Sequence, residues 1–274
     1  MAPSEYTSRY HSDQMKIPPY ISPSLLSGRL EDFCRAMKFD KMRDTDLTET
    51  MRYYYASIEG MIDHQVGRLM TALSNKGLVE NTVVLFTSDH GDFMGQHRAV
   101  RKAMFLYDAL LHVPMIWHLP GMGGRGRRTQ ALAQGIDIFP TLVELTGGKL
   151  DGDLPGRSLR PILAGEDRSN ASRAIFTSAG YGEWPRELIE TNRLSSADPA
   201  LPLHTLVEDA SDELQYRQSM IRNRDWKLLL SESRPPELYH MDGGWIERKN
   251  LASDKQYAGI RRDLEMSLTR WWQW

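Results

Sequence analysis

The chain has 274 residues, 41% hydrophobic and 26% charged, with a formal net charge of −2. That length holds one large domain or two small ones, and the charge balance, with no basic tract of the kind that binds phosphate backbones, speaks against nucleic acid. No window of about 18 apolar residues occurs, so no membrane span is expected, and the single cysteine, Cys34, excludes an internal disulfide or a cysteine-based metal cluster.

The opening MAPSEYTSRYHSDQ is polar and lacks the apolar segment of a secretory leader. The compartment is left open, with a soluble, cytoplasmic chain favoured by that opening and by the lone cysteine. Residues 1–45, with three prolines and a glycine in KIPPYISPSLLSG, read as an irregular arm wrapped on a larger body. Cys34 within it reads as a small buried hydrophobe.

Asp46 to Lys76 reads as one long helix. Asp46 would cap its first turn with Glu49 three residues on, and Leu47, Met51, Tyr54, Ile58, Met61, Ile62, Leu69, Met70 and Leu73 recur at three- and four-residue spacing. Asn75-Lys76-Gly77 is its stop. Val83 to Phe86 follows as an apolar run, as a central parallel strand would. Val113 to Leu119 is a second strand with Pro114 at its start. Asp137 then opens a helix through Leu145, with Pro140 in the first turn and Gly147-Gly148 behind it. Alternating helix and strand predicts an α/β fold: a partial mixed or parallel sheet flanked by helices. Further on, RQSMIRNRDWKLLLS predicts two strands about a turn at Asn223-Arg224-Asp225, PPELYHMDGG a third, and DKQYAGIRRDLEMSLTRWWQW a final helix. These form a small antiparallel sheet plus helix.

The chemistry sits where the first strand ends, in TSDHGDFMGQH. Ligands of open α/β sheets bind beyond the carboxyl ends of strands. A carboxylate and an imidazole at Asp89 and His90, with Gly91 supplying backbone freedom, form half of a divalent-metal site. Read alone, the tripeptide is better taken as a capped turn, with Asp89 accepting backbone N–H groups.

Several stretches in order carry a family resemblance: YYYASIEGMIDHQVGRLMTAL, LVENTVVLFTSDHGDFMGQH, RKAMFLYDALLHVPMIWHLPG, DIFPTLVELTGG, GRSLRPILAGE, RDWKLLL and ELYHMDGG with NLA. Together they resemble the C-terminal half of a sulfatase, within the alkaline phosphatase superfamily. The resemblance covers most of 46–165 and 217–273 and fades over 178–215. It implies an alkaline phosphatase-like fold with an arm at 1–45, a partial α/β domain at 46–177, a variable excursion at 178–216 and an antiparallel subdomain at 217–274. By the same resemblance, Asp89 and His90 are ligands of a divalent cation, calcium by preference with manganese the alternative. Lys102 takes a substrate sulfate oxygen, where an ammonium would stabilise charge on the leaving oxygen. His97 occupies a position next to the pocket, either catalytic or structural. Asp92 reads as a turn cap or a support behind the ligands. Asp108 stands where relatives carry glutamate, or is a helix-surface acid. Asp137 reads as a helix cap, and His64 and His240 as structural.

The formylglycine nucleophile of the family arises from a Cys/Ser-x-Pro-x-Arg motif, and no such motif occurs in these residues. Cys34 is followed by Arg35, Ala36 and Met37. The resemblance therefore implies a half site, completed by an N-terminal sulfatase half or by self-association, acting on a small anionic ester. The alternatives are a phosphonate monoester or phosphodiester hydrolase of the same superfamily, and a non-catalytic remnant.

Overall fold

The computed structural model describes residues 3–22, 25–121, 126–166, 173–179, 217–232, 234–242 and 244–272. The excursion expected over 178–216 lies, from residue 180 onward, outside them.

The opening segment is more ordered than its prolines suggest. Helix α1 spans Gly28–Ala36, and the Ser27 side chain accepts the N–H of Leu30 at its start. Leu30, Phe33, Cys34 and Met37 follow helical spacing and turn toward the main core. Leu30 and Cys34 are fully buried there, beside Leu26 and Phe39. The arm is thus part of the core.

Helix α2 (Asp44–Tyr55) runs through a seven-residue π-helical segment, Ala56–Ile62, into α3 (Asp63–Asn75). The expected long helix is present, but Asp46 does not cap it. Its carboxylate takes the Arg43 guanidinium at 2.9 and 2.7 Å, and Glu49 pairs with Arg52. Competition from these neighbouring arginines outweighs the capping geometry. At the π segment Gly60 lies under Tyr6, where a Cβ would come 3.1 Å from the ring. The Tyr6 hydroxyl meets His64 Nδ1 at 2.7 Å. An extra residue in one turn rotates everything after it by about 100°. Leu47 and Met51 before the π segment are buried, whereas Ile58 and Ile62 within it and Leu69 beyond it are exposed.

Strand β1 (Val84–Thr87) pairs antiparallel with β2 (Met115–His118), placing Leu85 opposite Trp117. Among the described residues β2 is its only strand partner, so the expected parallel neighbour is not found there. The chain between them returns by a loop and one short turn of helix, Asp108–Leu111, with no crossover helix of the kind a parallel pair needs. Pro114 stands immediately before β2, as its missing donor requires. Helix α4 (Ile138–Leu145) has Pro140 in its first turn and is followed by Gly147 at φ 75°.

Four strands form the second sheet: β3 (Ile175–Ala179), β4 (Gln218–Arg222), β5 (Trp226–Ser231) and β6 (Glu237–His240), all antiparallel and in that order. Asn223 Oδ1 accepts the N–H groups of Asp225 and Trp226 and closes the β4–β5 turn. Strand alternation divides the sheet's faces. Met220, Leu229 and Tyr239 enter the main core with Phe93, Phe105, Tyr107 and helix α1. Ile221, Leu228 and Leu238 pack instead on helix α5 (Ala258–Trp272) through Leu264 and Leu268. The sheet is therefore sandwiched, and its inner face backs the segment that follows β1.

Candidate metal and anion site

Beyond Thr87 the chain leaves β1 in a turn held by its own side chains. Ser88 Oγ donates to the His90 carbonyl at 2.8 Å, and Asp89 Oδ1 accepts the His90 N–H at 2.9 Å. That bond holds the Asp89 carboxyl below its ordinary range. The His90 Nδ1 lies 2.9 Å from the Gly91 carbonyl oxygen. A carbonyl only accepts, so Nδ1 carries the proton and Nε2 presents a lone pair. That lone pair lies 3.6 Å from Asp89 Oδ2, on side chains 40% and 83% exposed respectively.

This arrangement fits a cation. Two electron-pair donors face each other in the open, separated by a span that one ion bridges at ordinary ligand distances of about 2.0–2.6 Å. The imidazole is oriented by a backbone carbonyl on its other nitrogen, as metal-binding histidines usually are. Among the described residues no group of three or more His, Cys, Asp or Glu is placed to hold a metal, so Asp89 and His90 are a two-donor set.

Gly91 anchors this turn to the body of the protein. Its N–H donates to the Leu110 carbonyl at 2.7 Å. A Cβ at Gly91 would overlap the Ala109 carbonyl oxygen, so no larger residue fits this approach.

From Asp92 to Lys102 the backbone is contorted. Met94, His97, Arg98 and Arg101 all adopt positive φ, between 44° and 67°. Such conformations cost free energy and persist where surrounding structure fixes them. Asp92 is the clamp: its Oδ1 accepts the N–H groups of both Met94 and Arg101 at 2.9 Å, so it caps the loop. His97 points inward. It is 1% exposed and packs against Phe93 and Tyr107, and burial depresses its imidazole to about 4. Lys102 emerges from the loop exposed, with no ion pair among the described residues. The structure thus brings Asp89 and His90 together, leaves Lys102 exposed on the returning segment, and places His97 inside an aromatic cluster.

Asp108 is not a surface acid. It is 4% exposed and starts the short turn that receives Gly91. Its carboxylate takes Lys227 Nζ at 2.6 Å and pairs with Arg222. Lys227 Nζ also meets Glu247 Oε1 at 2.6 Å, and that oxygen accepts the Asp108 N–H at 2.9 Å. Lys227 and Glu247 escaped sequence reasoning. The available signal was a lysine inside the apolar run Trp226–Leu230, since a charge there is buried only when paired.

Asp137 is buried, but its side chain does not cap α4 as expected; it joins Gln134 in a capping box on the turn before that helix. It accepts the N–H groups of Gln134 and Arg157 at 2.8 Å, and both its oxygens take Arg173 at 2.7 Å. His64 bonds Tyr6, and His240 lies against Trp226.

Three comparisons place the chain among known proteins. The N-acetylglucosamine-6-O-sulfatase of Bacteroides thetaiotaomicron is 25% identical over 264 residues, 94% of this chain and 42% of that one. The phosphonate monoester hydrolase of Agrobacterium radiobacter superposes with a TM-score of 0.74 at 25% identity, covering 98% of this chain and 53% of that one. A structure described in complex with its substrate D-glucosamine-2-N,6-O-disulfate matches with a TM-score of 0.65 at 25% identity, covering 89% and 44%. The chain spans about half the length of these relatives. Its fold is that of the alkaline phosphatase-like sulfatases, mixed α/β with a small antiparallel sheet plus helix. The sequence profile named Sulfatase matches residues 5–148, more than half of the chain, and the chain belongs to the sulfatase family.

Proposed function

We propose that these residues carry half of the active site of a divalent-cation-dependent hydrolase of sulfate esters. Asp89 and His90 are the cation ligands, and Lys102 receives an oxygen of the anionic ester. The observation that carries this reading is the exposed pair of donors at the end of β1, Asp89 Oδ2 and His90 Nε2, 3.6 Å apart, with the ring fixed through Nδ1. Calcium is the expected ion and manganese the alternative. When bound, such a cation supplies positive charge and Lewis acidity at the ester. Asp89 contributes the charge that holds it, and His90 contributes a neutral donor oriented by Gly91. Lys102, exposed and without a carboxylate partner among the described residues, compensates negative charge on the ester oxygens as the bond to the leaving group breaks.

The nucleophile and further ligands needed for turnover do not come from the described cluster, and no Cys/Ser-x-Pro-x-Arg motif occurs in these 274 residues. The reading therefore assigns them to another segment or chain. The sulfated glucosamines named for two relatives make sulfated sugars the first substrates to try. The test is hydrolysis of a chromogenic aryl sulfate by this chain alone and after mixing with the N-terminal half of a sulfatase. No turnover alone is expected, with turnover on mixing that Asp89→Ala and Lys102→Ala abolish. Turnover by the isolated chain contradicts the half-site reading.

A second reading, hydrolysis of phosphonate monoesters, is favoured by the likeness to the Agrobacterium enzyme. Asp89, His90 and Lys102 recognise an anionic ester oxygen of either class. Parallel assays of a sulfate and a phosphonate ester by the complemented protein separate the two.

A further inference from the structure

Lys227 carries a full side chain into the interior with 0% exposure, where burial pushes its ammonium down from its ordinary range. Two cations, Lys227 and Arg222, there face two anions, Asp108 and Glu247, so the quartet is balanced in charge. Apolar residues of the same volume usually stabilise a core at least as well as such a group. What the quartet provides is directional bonding, and its bonds run toward the strand-end site. Lys227 Nζ holds Asp108 Oδ1 and Glu247 Oε1, and Glu247 Oε1 accepts the Asp108 N–H. Asp108 begins the turn whose Leu110 carbonyl accepts the Gly91 N–H, and whose Ala109 carbonyl oxygen lies against Gly91 where a side chain would be. The Gly91 carbonyl in turn fixes His90 Nδ1.

We infer that Lys227 is a positioning residue for the cation site: through Asp108, Glu247 and the 108–111 turn it sets the orientation of the His90 ring. The inference rests on the cation-site reading above, but its first readout is independent of any ion.

Nitrogen NMR of the ion-free protein reports the His90 tautomer directly, and Mn²⁺ titration then reports affinity. The variants are Lys227→Met and the double variant Lys227→Met/Asp108→Asn. The double variant removes one charge of each sign, keeps the pocket neutral and covers the case in which the single variant does not fold. In the folded Lys227 variants the Nδ1–H tautomer of His90 is expected to lose its dominance, and Mn²⁺ affinity to fall about tenfold or more, the usual effect of losing a group that orients a ligand. A Lys227 variant that folds yet keeps the wild-type tautomer and affinity overturns the inference, as does loss of the fold in both. A wild-type protein with the Nδ1–H tautomer but no Mn²⁺ binding refutes the cation reading and leaves the positioning of His90 to stand on the NMR result.

Discussion

Replacing His97 by asparagine is expected to flatten the acid side of the protein's stability curve. His97 is buried among Phe93, Tyr107 and Gln96, and burial lowers its imidazole from 6.5 to about 4, with the distant Glu247 opposing that only in part. A base with a depressed folded pKa binds fewer protons folded than unfolded. Its contribution is therefore complete above the unfolded value and is lost as pH falls from about 6.5 toward about 4. At pH 5 the unfolded imidazole is charged and the folded one still neutral, a loss of about 2 kcal/mol relative to pH 7, rising to about 3 kcal/mol below pH 4. Asparagine tolerates the φ of 56° at this position and does not titrate. The space it leaves adds a cost independent of pH. The assay is urea denaturation of both proteins at intervals from pH 7.5 to 4.5. The stability difference between them is expected to change by about 2 kcal/mol between pH 7 and pH 5. A difference constant across that range refutes the reasoning, as does an NMR titration of His97 near 6.5.

Three other perturbations have definite outcomes. Gly91→Ala forces a Cβ onto the Ala109 carbonyl oxygen and is expected to cost about 1–3 kcal/mol in urea denaturation, while Gly67→Ala, in open space on α3, is neutral or stabilising; equal effects contradict the close approach. Asp137→Ala removes the carboxylate partner of Arg173 and the acceptor of two N–H groups in the interior and is expected to lower stability by about 3–5 kcal/mol, a reading that a loss below about 1 kcal/mol overturns. Cys34 is buried with its thiol pushed up to about 12, so a thiol reagent at pH 8 is expected to label it only after unfolding; rapid labelling of the folded protein would show the packing of α1 to be wrong.

How much of this was legible depended on whether a signal was local. Strands β4, β5 and β6 and the loop cap at Asp92 are written in short-range patterns and appear where those patterns placed them, whereas β3 was not marked by them and Asp137 draws Arg157 and Arg173 from farther along the chain. Helix α1 was passed over because prolines before it masked the spacing of Leu30, Phe33, Cys34 and Met37. The π segment left no local signal, and the contact that accompanies it, Tyr6 over Gly60, joins residues more than fifty apart in sequence. Strand β2 was legible, but its antiparallel pairing with β1 was not, because an apolar run of four residues does not reveal strand direction. Asp89 and His90 were legible as types at a strand end, but the features that make them a donor pair, the Gly91 carbonyl on Nδ1 and the 3.6 Å separation, are tertiary. The Lys227 quartet joins positions over 100 residues apart and left only a lone lysine in an apolar strand as its trace.

The central claim is that Asp89 and His90 bind a divalent cation, and calorimetric titration of Ca²⁺ and Mn²⁺ into the wild-type chain, Asp89→Ala and His90→Ala tests it most directly. Two protein donors predict weak binding, with a dissociation constant on the order of 10⁻⁴–10⁻³ M, abolished in both variants. Tight, stoichiometric binding that survives both substitutions would place the ion elsewhere and contradict the account.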